Sequence, residues 1–338
     1  MRYRKRAMRS AAYLLSALGL VVGLAHCSST TDRDGFGPSE NGAPTSSTGE
    51  TSPPSGTFVD AAVSSDASSG ECTEDIDVVF VLDVSSSMGF VLDTLDQEID
   101  KVVDAANTLK AGAHFGLVLF VDNVKLVDTG DLNSGKVHTK AASLRAGFTN
   151  AKSTYTNPNR NPGDGPSGPT TQNPICEEDS LDALHDAANE FPWRSNAARV
   201  VILVTDDTFL EKPDNYGDRD GDGKTDKTSY PKEGNYPARF DFDETLLALK
   251  TGAVRVFSFT KLKAPGTFDL TKCGTGRRHP SDESVTYGWS KPYDGKQPIP
   301  MQTGGKNFDL DSVRDGKISL ATTINEVVLE SHCAGPPK

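Results

Sequence analysis

Three serines and an aspartate stand close together in Asp83-Val84-Ser85-Ser86-Ser87-Met88. A second acid pair, Asp206-Asp207, follows Thr205, and a third acidic run is Glu177-Glu178-Asp179. Carboxylates and hydroxyls are hard oxygen donors. Mg²⁺ takes such oxygens in near-octahedral geometry at about 2.0–2.1 Å and keeps several waters. Ser85 and Ser87 lie two residues apart, so both hydroxyls can face one point in a tight turn. Asp83 supplies the charge. The competing reading is that the serines merely cap the helix that follows, and that Glu177–Asp179 only favour a helix N-terminus.

These residues need a scaffold that brings them together. Ile76–Leu82 (IDVVFVL), Phe115–Val121, Arg199–Thr205 (RVVILVT) and Val254–Thr260 (VRVFSFT) are continuous apolar runs rich in β-branched residues. Such runs mark strands buried on both faces. Helical spacing runs through Phe90–Leu109, with apolar residues at Val91, Leu95, Ile99, Val102, Val103 and Ala106. Asp179–Glu190 and Phe242–Lys250 are helices, the latter closed by Gly252. Val137–Ala151 and Ile318–Ser331 are further helix candidates, and Lys125–Val127 and Lys306–Leu310 are short edge strands. Alternating strands and helices imply an open, mostly parallel, doubly wound α/β sheet with helices on both faces. In such folds ligands bind beyond the carboxyl ends of the strands. Asp83 and Asp206 both fall there.

A strand, then D-x-S-x-S, then a helix, with a later strand ending in T-D, resembles the von Willebrand factor A (VWA) domain. The resemblance covers roughly residues 75–331. It implies a metal-ion-dependent adhesion site, with Ser85 and Ser87 as direct ligands and Asp83 and Asp206 binding directly or through water. Mg²⁺, Mn²⁺ or Ca²⁺ would sit there, with an open position for a carboxylate from a protein partner. The family's Thr ligand aligns with Glu178, a departure that leaves three alternatives: Glu178 ligates, Ser180 supplies a hydroxyl, or the site is degenerate. Asp207 departs too, since Gly commonly follows the T-D aspartate.

A second cation loop is expected in Asp218-Arg219-Asp220-Gly221-Asp222-Gly223-Lys224-Thr225-Asp226. Acids at alternate positions in a Gly-rich turn can converge on Ca²⁺, with Asp218, Asp220, Asp222, Lys224 and Asp226 at the ligand positions. Ser229 stands where an EF-hand has its bidentate Glu. The loop therefore resembles those of thrombospondin type 3 repeats and dockerins. It lies in an insertion, 208–239, that would flank the first site. The other long loop, 262–303, carries Tyr287, Trp289 and Tyr293, which suit recognition if exposed and packing if not.

The N-terminus reads as an export signal: five basic residues, then the apolar run Ala11–Ala25. Leu24-Ala25-His26-Cys27 resembles a bacterial lipobox, which implies lipidation at Cys27. The expected organisation is a signal at 1–26, a lipidated Cys27 and disordered linker at 27–70, and one VWA domain at 71–334. Of the 43 residues in 28–70, 27 are Ser, Thr, Gly or Pro, too polar to form a core. The expected location is the outer membrane of the cell envelope, with the lipid as the sole membrane contact.

Four further cysteines allow three pairings. The ends of domains of this kind lie close together, which favours Cys72–Cys333 and leaves Cys176–Cys273. The chain carries a formal charge of -12. Removing the signal leaves 30 Lys and Arg against 47 acids, or -17. That excess argues against nucleic acid as a partner. His185 is expected to be a surface or packing residue. The sequence has neither an H-E-x-x-H nor a G-x-S-x-G motif. The expected function is metal-dependent protein binding or adhesion rather than catalysis, the alternative being a structural envelope protein with a degenerate site.

Overall fold

The computed structural model describes residue 72 and residues 74–157, 160–168, 177–212, 236–262 and 286–335. The expected signal and linker, Cys27, Cys176, Cys273 and the loop Asp218–Asp226 lie outside these residues.

The central sheet has six strands in the order β3-β2-β1-β5-β7-β8. They are β1 (Asp75–Asp83), β2 (His114–Phe120), β3 (Val124–Leu126), β5 (Ala197–Val204), β7 (Val254–Thr260) and β8 (Asn307–Asp309). Every pairing is parallel except β2 with β3. Val81 faces Val118 on one side and Leu203 on the other. The sheet is open, and chain order reverses between β1 and β5. That reversal leaves a crevice at the carboxyl ends of the two strands.

Burial on both faces explains the unbroken apolar runs. Successive side chains of a strand point to opposite sides. Ile76, Val78, Phe80 and Leu82 pack into one core, Val79 and Val81 into the other. Over the first face lie α1 (Gly89–Leu109), α2 (Ala141–Ala151) and the closing helix Leu320–Ser331. Over the second lie α3 (Ser180–Glu190) and α4 (Phe242–Thr251). Helix α1 buries Val91, Leu95, Ile99, Val102, Val103 and Ala106, the stripe its 3.6-residue spacing predicts.

Several expected elements shift for physical reasons. Helix α2 starts at Ala141 rather than Val137, because His138 pairs with Phe115 as an isolated β-bridge. It continues as a π-helical turn, Lys152–Thr156. Gly252 does not close α4 in a left-handed conformation. Its φ is -74°, and Ala253 takes the positive φ of 51°. Gly252 still caps the helix, its N–H reaching the Ala248 carbonyl at 2.9 Å.

The aromatic loop takes the packing alternative at two of its residues. Trp289 and Tyr293 are buried rather than offered to a partner. Both pack edge-on against Phe209, at centroid distances of 5.7 and 4.9 Å. Gly288 beside them has φ 80°, and a Cβ there would meet Phe209 Cε1 at 2.7 Å. His185 stacks on Phe240 at a centroid distance of 3.3 Å, a packing role as expected.

Cys72 and Cys333 form a disulfide with a Cα–Cα distance of 5.6 Å. It joins the residues that bracket the sheet. Among the described residues, no helix is long and apolar enough to cross a membrane.

Candidate metal centre

The carboxyl end of β1 delivers Asp83, 1% exposed. Its Oδ1 accepts the Ser85 N–H at 2.7 Å, and its Oδ2 accepts the Thr205 hydroxyl at 2.9 Å. The carboxylate thus spans the crevice between β1 and β5. Ser85 Oγ and Ser87 Oγ lie 3.1 Å apart, so the two hydroxyls do face one point. Ser87 donates to Asp206 Oδ1 at 2.8 Å. No side chain caps either the turn Ser86–Met88 or α1, so helix capping does not account for the serines.

Glu178 arrives by a route that the linear pattern did not show. Glu177–Glu178 forms a short strand, β4, which pairs in parallel with Thr208–Phe209, here β6. The Leu210 N–H reaches the Glu178 carbonyl at 2.9 Å, and the Asp179 N–H reaches the Val121 carbonyl at 2.7 Å. These backbone bonds seat Glu178 beside the residues that follow β5. One carboxylate oxygen from each of Asp83, Glu178 and Asp207 then lies within 4.8 Å of the other two. Glu178 Oε2 is buried without a hydrogen-bond partner. Ser180, the other candidate at this position, is fully buried at the start of α3, and its hydroxyl has no partner either.

The structure adds one acid beside the expected residues. Asp207 joins the carboxylate group. Asp206 turns toward Ser87 and toward two cations, Lys261 Nζ at 2.9 Å and Arg314 Nη2 at 3.7 Å. The absent glycine after Asp206 was the sequence's mark of this second acid, Asp207, on the same turn.

Electrostatics follow from the crowding. Burial first, and then the Asp206 charge, push the Asp83 carboxyl up to about 7. Burial, followed by Asp83, Asp122 and Asp207, holds Glu178 well above the usual carboxylate range. Asp207 keeps partial exposure. Loss of water around its carboxyl, and then Asp206 and Asp83, raise it too, while Lys261 opposes. Like charges this close cannot all ionise cheaply without a counter-cation.

No family model matches this chain, and no curated protein matches it by sequence. Among solved structures it is similar to proximal thread matrix protein 1 from the mussel byssus. One crystal form shows 14% identity and a TM-score of 0.39 over 78% of this chain and 49% of that one. The chain thus spans about half the length of the mussel protein. It is also similar to the conserved hypothetical protein BatB from Bacteroides thetaiotaomicron. There the identity is 14% and the TM-score 0.38, over 76% of this chain and 98% of that one. At these values the likeness assigns neither a family nor a function.

The donor set fits a hard divalent cation. Asp83, Glu178 and Asp207 offer carboxylate oxygens, with the Ser85 and Ser87 hydroxyls beside them. Neither His nor Cys belongs to this cluster, so soft-ligand metals are disfavoured. An unpartnered buried carboxylate oxygen costs free energy, and a bound cation removes that cost. Which cation binds is not fixed by the donors, since Mg²⁺, Mn²⁺ and Ca²⁺ all accept oxygen ligands.

Proposed function

We propose that this chain is a divalent-cation-dependent protein-binding module of VWA type, carried at the cell envelope on a lipid anchor at Cys27. One observation carries the metal part of this reading. Three carboxylates from β1, β4 and the turn after β5 converge at the point where strand order reverses, and Glu178 Oε2 is buried there without a partner. The first ligand set proposed is Asp83, Ser85, Ser87, Glu178 and Asp207, with Asp206 completing it through water or directly. The partner is a protein that presents a carboxylate to the open metal position. The loop Asp218–Asp226 is proposed as a separate Ca²⁺ site.

The binding role is tested by a pull-down from envelope extract in Mg²⁺, eluted with EDTA. Partners released by EDTA from the wild type but absent with Asp83→Ala support it. Identical partners with both proteins reject it.

A second reading has its own support. The Lys261 and Arg314 contacts already give Asp206 a counter-charge, as in a structural domain whose site takes no metal. Calorimetric titration with Mg²⁺ and Mn²⁺ separates the two readings: heat lost in Asp83→Ala favours the first, and no heat in the wild type favours the second.

A further inference from the structure

Lys261 is the first residue after β7 and Asp206 is the second after β5, so neighbouring parallel strands set the pair side by side. Its ammonium lies 2.9 Å from Asp206 Oδ2, and the Asp206 side chain is only 3% exposed. Arg314 is steadied over the Phe90 ring at 4.3 Å and approaches the same oxygen at 3.7 Å. The other oxygen, Oδ1, already accepts from Ser87. Both Asp206 oxygens are thus engaged, one by a hydroxyl in the candidate ligand set and one by a cation of the chain itself.

We propose that Lys261 is an internal cation that competes with the divalent ion for Asp206. This rests on the metal-binding reading above. A divalent ion beside Ser87 draws on the same Asp206 carboxylate that already neutralises the ammonium, so the two cations repel each other and compete for its charge. Metal entry is then coupled to release of Lys261 toward the rim, where a quarter of its side chain is already exposed. The ion pair is largely shielded from water, so its loss is not negligible in the way a fully exposed pair's would be. The device sets a threshold: the site loads only when free divalent ion is high enough to displace a tethered competitor.

The test is a Mn²⁺ titration of the full-length chain by calorimetry, with circular dichroism confirming the fold of each variant. Lys261→Met is expected to bind Mn²⁺ about tenfold more tightly than the wild type, and Lys261→Arg about as the wild type does. Lys261→Gln replaces Lys261→Met if the latter fails to fold. In an Asp206→Asn background the gain from Lys261→Met should vanish, because the contested oxygen is no longer charged. Equal affinity of Lys261→Met and wild type overturns the proposal. So does a gain that persists in Asp206→Asn, which would mark a general charge effect. Absence of Mn²⁺ binding in every variant overturns the metal-binding reading and this inference with it. Binding by Lys261→Met alone supports both.

Discussion

Ser87 donates its hydroxyl hydrogen to Asp206 Oδ1 at 2.8 Å, across 119 residues of chain. The bond ties the turn after β1 to the turn after β5. It spans the crevice that the strand order opens and joins the two halves of the candidate site. Asp83 makes the same crossing from below through Thr205. Two side-chain hydrogen bonds thus hold the ends of β1 and β5 together at the candidate site.

Glu178→Gln should separate stability from binding. At pH 8 the metal-free variant is expected to be more stable than the wild type by about 1 kcal/mol, since the amide neither buries a charge nor holds a proton that the unfolded chain has lost. Its thermal shift on adding Mn²⁺ should shrink. Thermal unfolding with EDTA and with excess Mn²⁺ measures both. A metal-free variant that is less stable than wild type would show that Glu178 holds a structural partner instead.

Ser87→Ala removes the cross-crevice hydrogen bond and one candidate ligand. The metal-free protein should lose about 1–3 kcal/mol, because the Asp206 Oδ1 left without its donor belongs to a side chain only 3% exposed. Mn²⁺ affinity should fall by about tenfold. Urea unfolding and calorimetry report the two effects separately. Unchanged Mn²⁺ affinity would remove Ser87 from the ligand set.

The pH dependence has a definite sign. The folded Asp83 carboxyl titrates at about 7, against 3.8 when unfolded. Between those values the folded chain holds a proton that the unfolded chain has lost, so stability falls as pH rises through that window. His114, His138 and His185 act oppositely. Each is held below its ordinary 6.5, chiefly by burial, so their protonation destabilises the fold on acidification. The clean observable is the difference between wild type and Asp83→Asn in EDTA. The wild type should gain stability relative to the variant on going from pH 8 to pH 5. A difference that does not change with pH would mean that Asp83 is not perturbed.

The Cys72–Cys333 bond lies at the amino end of β1, whereas Asp83 ends the same nine-residue strand. At about 3.3 Å per residue the two are roughly 30 Å apart. Replacing both cysteines with serine should cost about 3–5 kcal/mol, given a sequence separation of 261. The Mn²⁺-induced thermal shift should survive. A lost shift in a folded double variant would couple the disulfide to the site.

The scaffold was largely legible. β7 runs over Val254–Thr260 as its apolar run predicts, and β1 extends the expected strand by one residue at each end. A strand buried on both faces leaves an unbroken apolar run, so local pattern and final environment agree. Short edges were less clear. β8 keeps only Asn307–Asp309, and its three residues are half-buried, so they carry little hydrophobic signal. Trp289 and Tyr293 were undecided in the sequence. Composition suits an aromatic residue equally to a partner's surface or to the chain's own, and only the position of Phe209 sends both inward.

The sequence by itself determined the alternation of strands and helices, and with it the end of the sheet at which Asp83, Ser85, Ser87 and Asp206 must gather. Those are consequences of periodicity and of which residue follows each buried run. Tertiary structure alone decided which carboxylates meet. The β4–β6 pairing brings Glu178 to Asp207, and the β5–β7 pairing brings Lys261 to Asp206. Neither meeting leaves a local mark, because each joins residues tens of positions apart whose contact depends only on strand order.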